Sequence, residues 1–179
     1  MHVNLGTDMH ILDPARSTFV AETIPTGLMA RLGHDLRVEA RGGSGRIVDD
    51  KHAEARFAID DMRVLESRRH GTAQWGPPPA RDTAEIEERL REQVFKRVAA
   101  ISVTAVLDGA FAELEVVARD TWRGRVPVAI KHGDKQVEVS GATTLSLSAL
   151  GGEQPRVPLG VMQLEDAVTV RFRATFVEP

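Results

Sequence analysis

Residues 168–176, VTVRFRATF, alternate without a break. Val168, Val170, Phe172, Ala174 and Phe176 fall on one side, and Thr169, Arg171, Arg173 and Thr175 on the other. Successive side chains of a strand point to opposite faces, so this run specifies an antiparallel strand with one apolar and one wet face. The same period returns at 53–59, where Ala53, Ala55, Phe57 and Ile59 oppose Glu54 and Arg56. It returns again at 110–119, where Ala112, Leu114, Val116 and Ala118 share a face. Residues 126–132 and 136–147 continue it, joined by the hairpin signal Gly133-Asp134-Lys135. Turn chemistry at Gly42-Gly43-Ser44-Gly45, Asp49-Asp50, Asp108-Gly109 and Gly151-Gly152 separates the runs. About eight strands result. No repeat or composition break divides them, so the chain is expected to form one domain over 1–179.

One segment follows a different period. After Pro77-Pro78-Pro79, residues 80–97 place Ile86, Leu90 and Val94 four apart with Phe95 beside them, which predicts an amphipathic helix laid on a sheet. Asp82 is the expected N-cap, with Glu85 three residues on, and Lys96-Arg97 suit the helix C-terminus. Many evenly spaced strands with one such helix between early and late ones predict a closed or nearly closed antiparallel barrel. Closure removes exposed sheet edges, and a barrel of eight strands is wide enough to hold one small ligand.

Composition narrows the function. The 179 residues contain no cysteine, which excludes thiol catalysis, disulfide frameworks and Cys-based zinc sites. Net charge is −3, the 23 basic residues form no stripe and tyrosine is absent, so the means of gripping nucleic acid are missing. No apolar run reaches the ~20 residues of a spanning helix. The opening MHVNLGTDMHILDP lacks the basic start and apolar core of a secretory signal, so a cytoplasmic protein is expected. His2, His10, His52, His70 and His132 show no metal-ligand spacing and are assigned to the surface, and no metal or cofactor is expected. Gly43-Ser44-Gly45 and Ser140-Gly141 lack the strand-to-helix elbow of a hydrolase, so no catalytic residue is assigned.

Three segments together resemble the YceI-like family of lipocalin-like, polyisoprenoid-binding proteins. ILDPARSTF, at 11–19, is similar to the family's opening Asp-Pro-x-x-Ser through Asp13, Pro14 and Ser17. Arg81-Asp82 resembles the Arg-Asp before its helical insertion. DTWRGRVPV, at 120–128, matches its Thr-x-Arg-Gly…Pro-Val segment at Thr121, Arg123, Gly124, Pro127 and Val128. Asp120 stands where the family has Leu, the proline after the helix is missing, and the Asp-x-Gly-Ile-like segment survives only weakly at 148–160. The resemblance implies an extended lipocalin-like barrel enclosing a long apolar chain, such as an isoprenoid or isoprenoid quinone.

In residues 34–40, HDLRVEA, His34, Leu36, Val38 and Ala40 share one parity and Asp35, Arg37 and Glu39 the other. His34 is therefore expected to face inward at a barrel rim and Asp35 to face outward, so the two do not form a catalytic pair. The histidine either pins the rim through a loop carbonyl or meets the polar head of a ligand. The expected ligand contacts are His34, Leu36, Val38, Phe57, Ile59, Val116, Ile130, Val170 and Phe172. Residues 66–79 form the longest irregular stretch, a candidate lid over the barrel mouth or dimer contact. The leading expectation is a carrier of an apolar small molecule. The alternatives are an enzyme using His34 as general acid or base, and a homodimeric interaction module with a packed barrel.

Overall fold

The computed structural model describes residues 9–26, 33–154 and 163–179. His2 and residues 155–160 of the weakly matching segment at 148–160 lie outside them. In chain order the strands are β1 (His10–Leu12), β2 (Thr18–Thr23), β3 (Pro25–Thr26), β4 (His34–Ala40), β5 (Ser44–Ile47), β6 (His52–Ala58) and β7 (Met62–Arg69). Helix α1 (Ala80–Arg89) follows, and then β8 (Ala100–Asp108), β9 (Phe111–Val117), β10 (Thr121–Gly133), β11 (Gln136–Ser146), β12 (Gln163–Leu164) and β13 (Ala167–Val177).

The run with the cleanest alternation closes the barrel. One edge of β13 pairs with β11 over its whole length, from Ala167 opposite Ser146 to Val177 opposite Gln136. The other edge takes β2 between Thr169 and Arg173 and then β1 at Phe176 and Val177. The order β1-β5-β6-β8-β9-β10-β11-β13 returns to β1, giving a closed antiparallel ring of eight strands. Strands β2, β4 and β7 extend the sheet beyond β13. The pairs β1/β2, β4/β5 and β6/β7 are each halves of one bent strand, broken at 13–17, 41–43 and 59–61. The eight strands and the inserted helix expected from the sequence are present.

The first break shows what the Asp13-Pro14…Ser17 segment does. Asp13 Oδ1 accepts the Ala15 N–H at 3.0 Å, and the Ser17 hydroxyl donates to the Asp13 carbonyl at 2.7 Å. The Ser17 oxygen also accepts the Thr175 N–H at 2.9 Å, and the Thr175 hydroxyl donates to the Arg16 carbonyl. The bend would otherwise leave a backbone donor of buried Thr175 unpaired in the middle of the closing strand. At the second break Gly42 takes a left-handed φ of +63°, and a Cβ at Gly43 would lie 2.4 Å from the Phe57 ring. Ser44 and Gly45, read as part of the turn, already belong to β5. In β10, Gly124 leaves the space that the Trp122 indole fills; a Cβ there would sit 2.4 Å from the ring.

The helix starts earlier and ends differently than the sequence suggests. Pro79 is the N-cap; its carbonyl accepts the Asp82 N–H at 2.9 Å, which puts Asp82 inside the first turn. After Arg89 the helix widens into one π turn, Leu90–Val94, with Phe95 N–H bonded to the Leu90 carbonyl at 2.9 Å. The wider turn brings Leu90, Val94 and Phe95 together against Ile59, Leu147 and Val168. Helix α1 also protects the outer edge of β7, because Glu87 Oε1 accepts the Val64 N–H at 3.0 Å.

Of residues 66–79, read from the sequence as one irregular stretch, 66–69 belong to β7 and 70–79 form the loop. Ser67 and Gly76 exchange two backbone hydrogen bonds of 2.9 and 3.0 Å, so the loop runs back along the β7 edge and onto the outer face. Trp75 lies there against the guanidinium groups of Arg37 and Arg68, at 4.1 and 4.5 Å from its ring centre. Asp35 does carry outward parity, yet it is only 2% exposed because this loop covers it. Arg68 Nε donates to Asp35 Oδ2 at 2.6 Å and His70 Nδ1 to Oδ1 at 2.7 Å. His70, assigned to the surface from its sequence setting, is therefore tied to a buried carboxylate. Burial alone would raise the Asp35 carboxyl, but the hydrogen bonds and charge of His70 and Arg68 outweigh it and hold its pKa below the ordinary value.

Two outcomes follow for stability. Ser17→Ala should cost about 2 kcal/mol in urea unfolding by stranding the Thr175 N–H. Asp35 has a depressed folded pKa, so its contribution is fully present above the ordinary Asp value of 3.8 and is lost as pH falls through the folded value. Asp35→Asn should therefore lower stability at pH 7 by about 2 kcal/mol, roughly 4–8 °C in Tm. The same substitution should flatten the acid limb of the stability–pH curve below that value.

Candidate functional site

Two clusters of buried side chains occupy the barrel. One is built on Leu12, Val137, Val139, Ala174 and Phe176, the other on Ile59, Val94, Phe95, Leu147 and Val168. A cavity of about 230 Å³ runs between them, and its wall draws on both. The alternating runs explain why it is empty of side chains. On one side Ala53 of β6 lies opposite Ala105 of β8, with Ala55 and Ala112 on the neighbouring inward positions. These residues present one carbon each where Leu or Phe would fill the space. The rest of the wall takes Phe19 and Ala21 from β2 and Val170 and Phe172 from β13, and the helix end adds Leu90, Val94 and Phe95.

The wall is almost wholly hydrocarbon. Among the described residues Thr23, Glu54 and Thr143 are those of the wall with polar side chains, and the Glu54 carboxylate pairs with Arg46 at 2.6 Å on the outside of the barrel. Such a space binds by removing apolar surface from water and by dispersion, with little electrostatic steering.

Of the nine contacts expected from the sequence, Val38, Phe57, Val116, Val170 and Phe172 lie in the cavity wall. Ile59 does not; it sits in the short turn after β6 and packs under the helix end. Ile130 packs on the Leu12–Phe176 cluster, beyond the cavity, and Leu36 is half-buried outside the wall. His34 departs furthest from its expected place. It shares the parity of Val38 and Ala40, but it is exposed at the first residue of β4 and is not in the wall. Parity fixes the direction of a side chain, not whether the barrel's apolar interior reaches that far along the strand. The alternation Phe19, Ala21, Thr23 in β2 was the signal that would have located a further part of the wall.

Among the described residues no helix is long and apolar enough to cross a membrane. No family model and no curated protein sequence matches the chain. Solved structures do. A polyisoprenoid binding domain from Saccharophagus degradans, implicated in plant cell wall breakdown, superimposes with a TM-score of 0.62 at 12% identity, over 97% of this chain and 99% of that one. BcnA of Burkholderia cenocepacia superimposes with a TM-score of 0.61 at 10% identity, over 92% and 98% of the two chains. Identities this low speak to the backbone arrangement alone. With the closed ring of eight strands and the inserted helix, they show that the chain has the lipocalin-like barrel fold of the YceI type that its three sequence segments resemble.

Proposed function

We propose that this protein binds and carries an apolar, isoprenoid-type molecule inside its barrel, without chemistry on it. The observation that carries the reading is the hydrocarbon wall around about 230 Å³ of unfilled space. Native interiors are otherwise packed to crystal-like density, and empty space forfeits the dispersion contacts of its lining. The fold neighbour named for polyisoprenoid binding supports the ligand class. An apolar cavity of roughly 150 Å³ accommodates benzene, roughly 25 Å³ per carbon, so 230 Å³ corresponds to roughly nine or ten carbons. Burying about ten such carbons contributes ~8 kcal/mol before the costs of ordering, enough for useful affinity with no charged anchor.

The chemical alternative draws less support. A general acid or base at His34 needs a partner and a substrate beside it, whereas His34 stands exposed outside the wall and the neighbouring Asp35 is engaged by Arg68 and His70. A packed-barrel interaction module requires a filled interior, which the cavity opposes.

Titration with straight-chain alcohols of increasing length should show affinity rising about fourfold per CH₂, the equivalent of ~0.8 kcal/mol. The rise should level off near roughly ten carbons, where the cavity is full. Ala105→Phe places a ring in the space that on the same scale takes the room of about six carbons, so it should abolish uptake of the longer members while leaving the Tm unchanged or higher. No uptake by the unmodified protein, together with no lipid released on solvent extraction of material purified from its host, would overturn the carrier reading.

A further inference from the structure

Thr23 breaks the apolar character of the cavity wall in a way that packing does not explain. Phe19, Ala21 and Thr23 share the inward parity of β2, and all three lie in the wall. Thr23 is 8% exposed, and among the described residues its Oγ1 is the buried side-chain oxygen or nitrogen that has no hydrogen-bond partner. Leaving a buried hydroxyl unpaired costs about 1–3 kcal/mol, and valine has the same shape without that cost. A resident water does not resolve the matter. Buried waters typically make about three hydrogen bonds, and among the described residues the wall offers only the Thr23 and Thr143 side-chain hydroxyls, since Glu54 is occupied by Arg46. A single step of about 120° in χ1 carries the Thr23 hydroxyl to the position its methyl now holds, so the oxygen can be re-aimed at the cost of one rotamer change.

We propose that Thr23 is the polar anchor of the cavity, and that the ligand is a chain of roughly ten carbons ending in one hydrogen-bonding oxygen, an alcohol or carbonyl, which pairs with the Thr23 hydroxyl. This rests on the carrier reading above and adds to it the ligand's polar end and its orientation. Register gives that orientation. Thr23 lies opposite Leu36 of β4, two residues from His34 on the same face, while Phe176 and Leu12 close the far end. The oxygen-bearing end of the ligand therefore lies toward the His34 end of the barrel and its tail toward the Phe176 cluster. A hydroxyl can donate or accept, so Thr23 suits an alcohol and a carbonyl equally, and among the described residues the wall's one charged side chain, Glu54, is held outside by Arg46, which disfavours a phosphate or carboxylate head.

The test compares geraniol, a two-isoprene alcohol, with myrcene, a two-isoprene hydrocarbon, by headspace depletion over increasing protein. The unmodified protein should take up both. Thr23→Val should weaken geraniol about tenfold while leaving myrcene equal or tighter, and its Tm should be equal or higher because an unpaired hydroxyl has been removed. Thr23→Ser, which keeps the oxygen, should retain the preference for geraniol, and it serves as the reporter should the valine variant fold poorly. Equal loss of both compounds, no loss of geraniol in Thr23→Val, or no preference for geraniol in the serine variant would overturn the anchor and leave the carrier reading standing. Failure of the unmodified protein to take up either compound would overturn both.

Discussion

Everything in this barrel is referred to one strand. β13 pairs in register with β11 along all eleven of its residues, and its other edge is shared by β2 and β1. Because a strand has only two edges, the chain can close a ring there and still carry β2, β4 and β7 as an extension only if the first strand bends and changes neighbours while staying on β13. Ser17 makes that possible. Its hydroxyl fills the place in the ladder that the bend vacates, accepting the N–H of Thr175, a residue that is itself buried. A backbone donor buried without a partner is among the more expensive defects available to a small domain, so one hydroxyl decides whether the seam can be continuous.

Closure then separates two dielectric worlds. Outside, the bent sheet offers a face on which Glu22, Arg37, Glu66, Arg68 and Asp35 neutralise one another, and the loop carrying His70 and Trp75 folds onto it. The charges that the strands place at alternate positions are all disposed of on this side, where water and the loop share their solvation. Inside, the same strands present alanine, valine and phenylalanine, and four alanines on β6, β8 and β9 leave the ring incompletely filled. The helix and its π turn contribute Leu90, Val94 and Phe95 to one end of that space while Glu87 satisfies the free edge of β7. The element that closes the sheet against aggregation is thus also the element that bounds the cavity.

Much of this was legible in the residues, because period-two alternation is a local property. The strands at 53–59, 110–119, 126–147 and 168–176, the helix after the proline run and the inward parity of Val38, Phe57, Val116, Val170 and Phe172 all follow from where each Cβ points. The helix start was less legible, since Pro79 caps it through its carbonyl and Asp82 only resembles a cap. The π turn was not legible at all, because its cause is the packing of Phe95 against residues far along the chain. Ile59, Ile130 and His34 show the limit of parity. Each lies on the apolar side of its run, yet a turn, a second core cluster and a strand's exposed first residue take them out of the wall.

The sequence by itself determined the strand count, the antiparallel barrel with one helix, and an interior rich in small apolar side chains. Alternation, turn residues and the helical period are written within a few residues of one another. The tertiary structure decided that a cavity exists, how large it is, that Asp35 belongs with Arg68 and His70, and that Thr23 is left without a partner. Those are properties of residues brought together from distant strands, and void volume and hydrogen-bond satisfaction are sums over such neighbours, which no local pattern encodes.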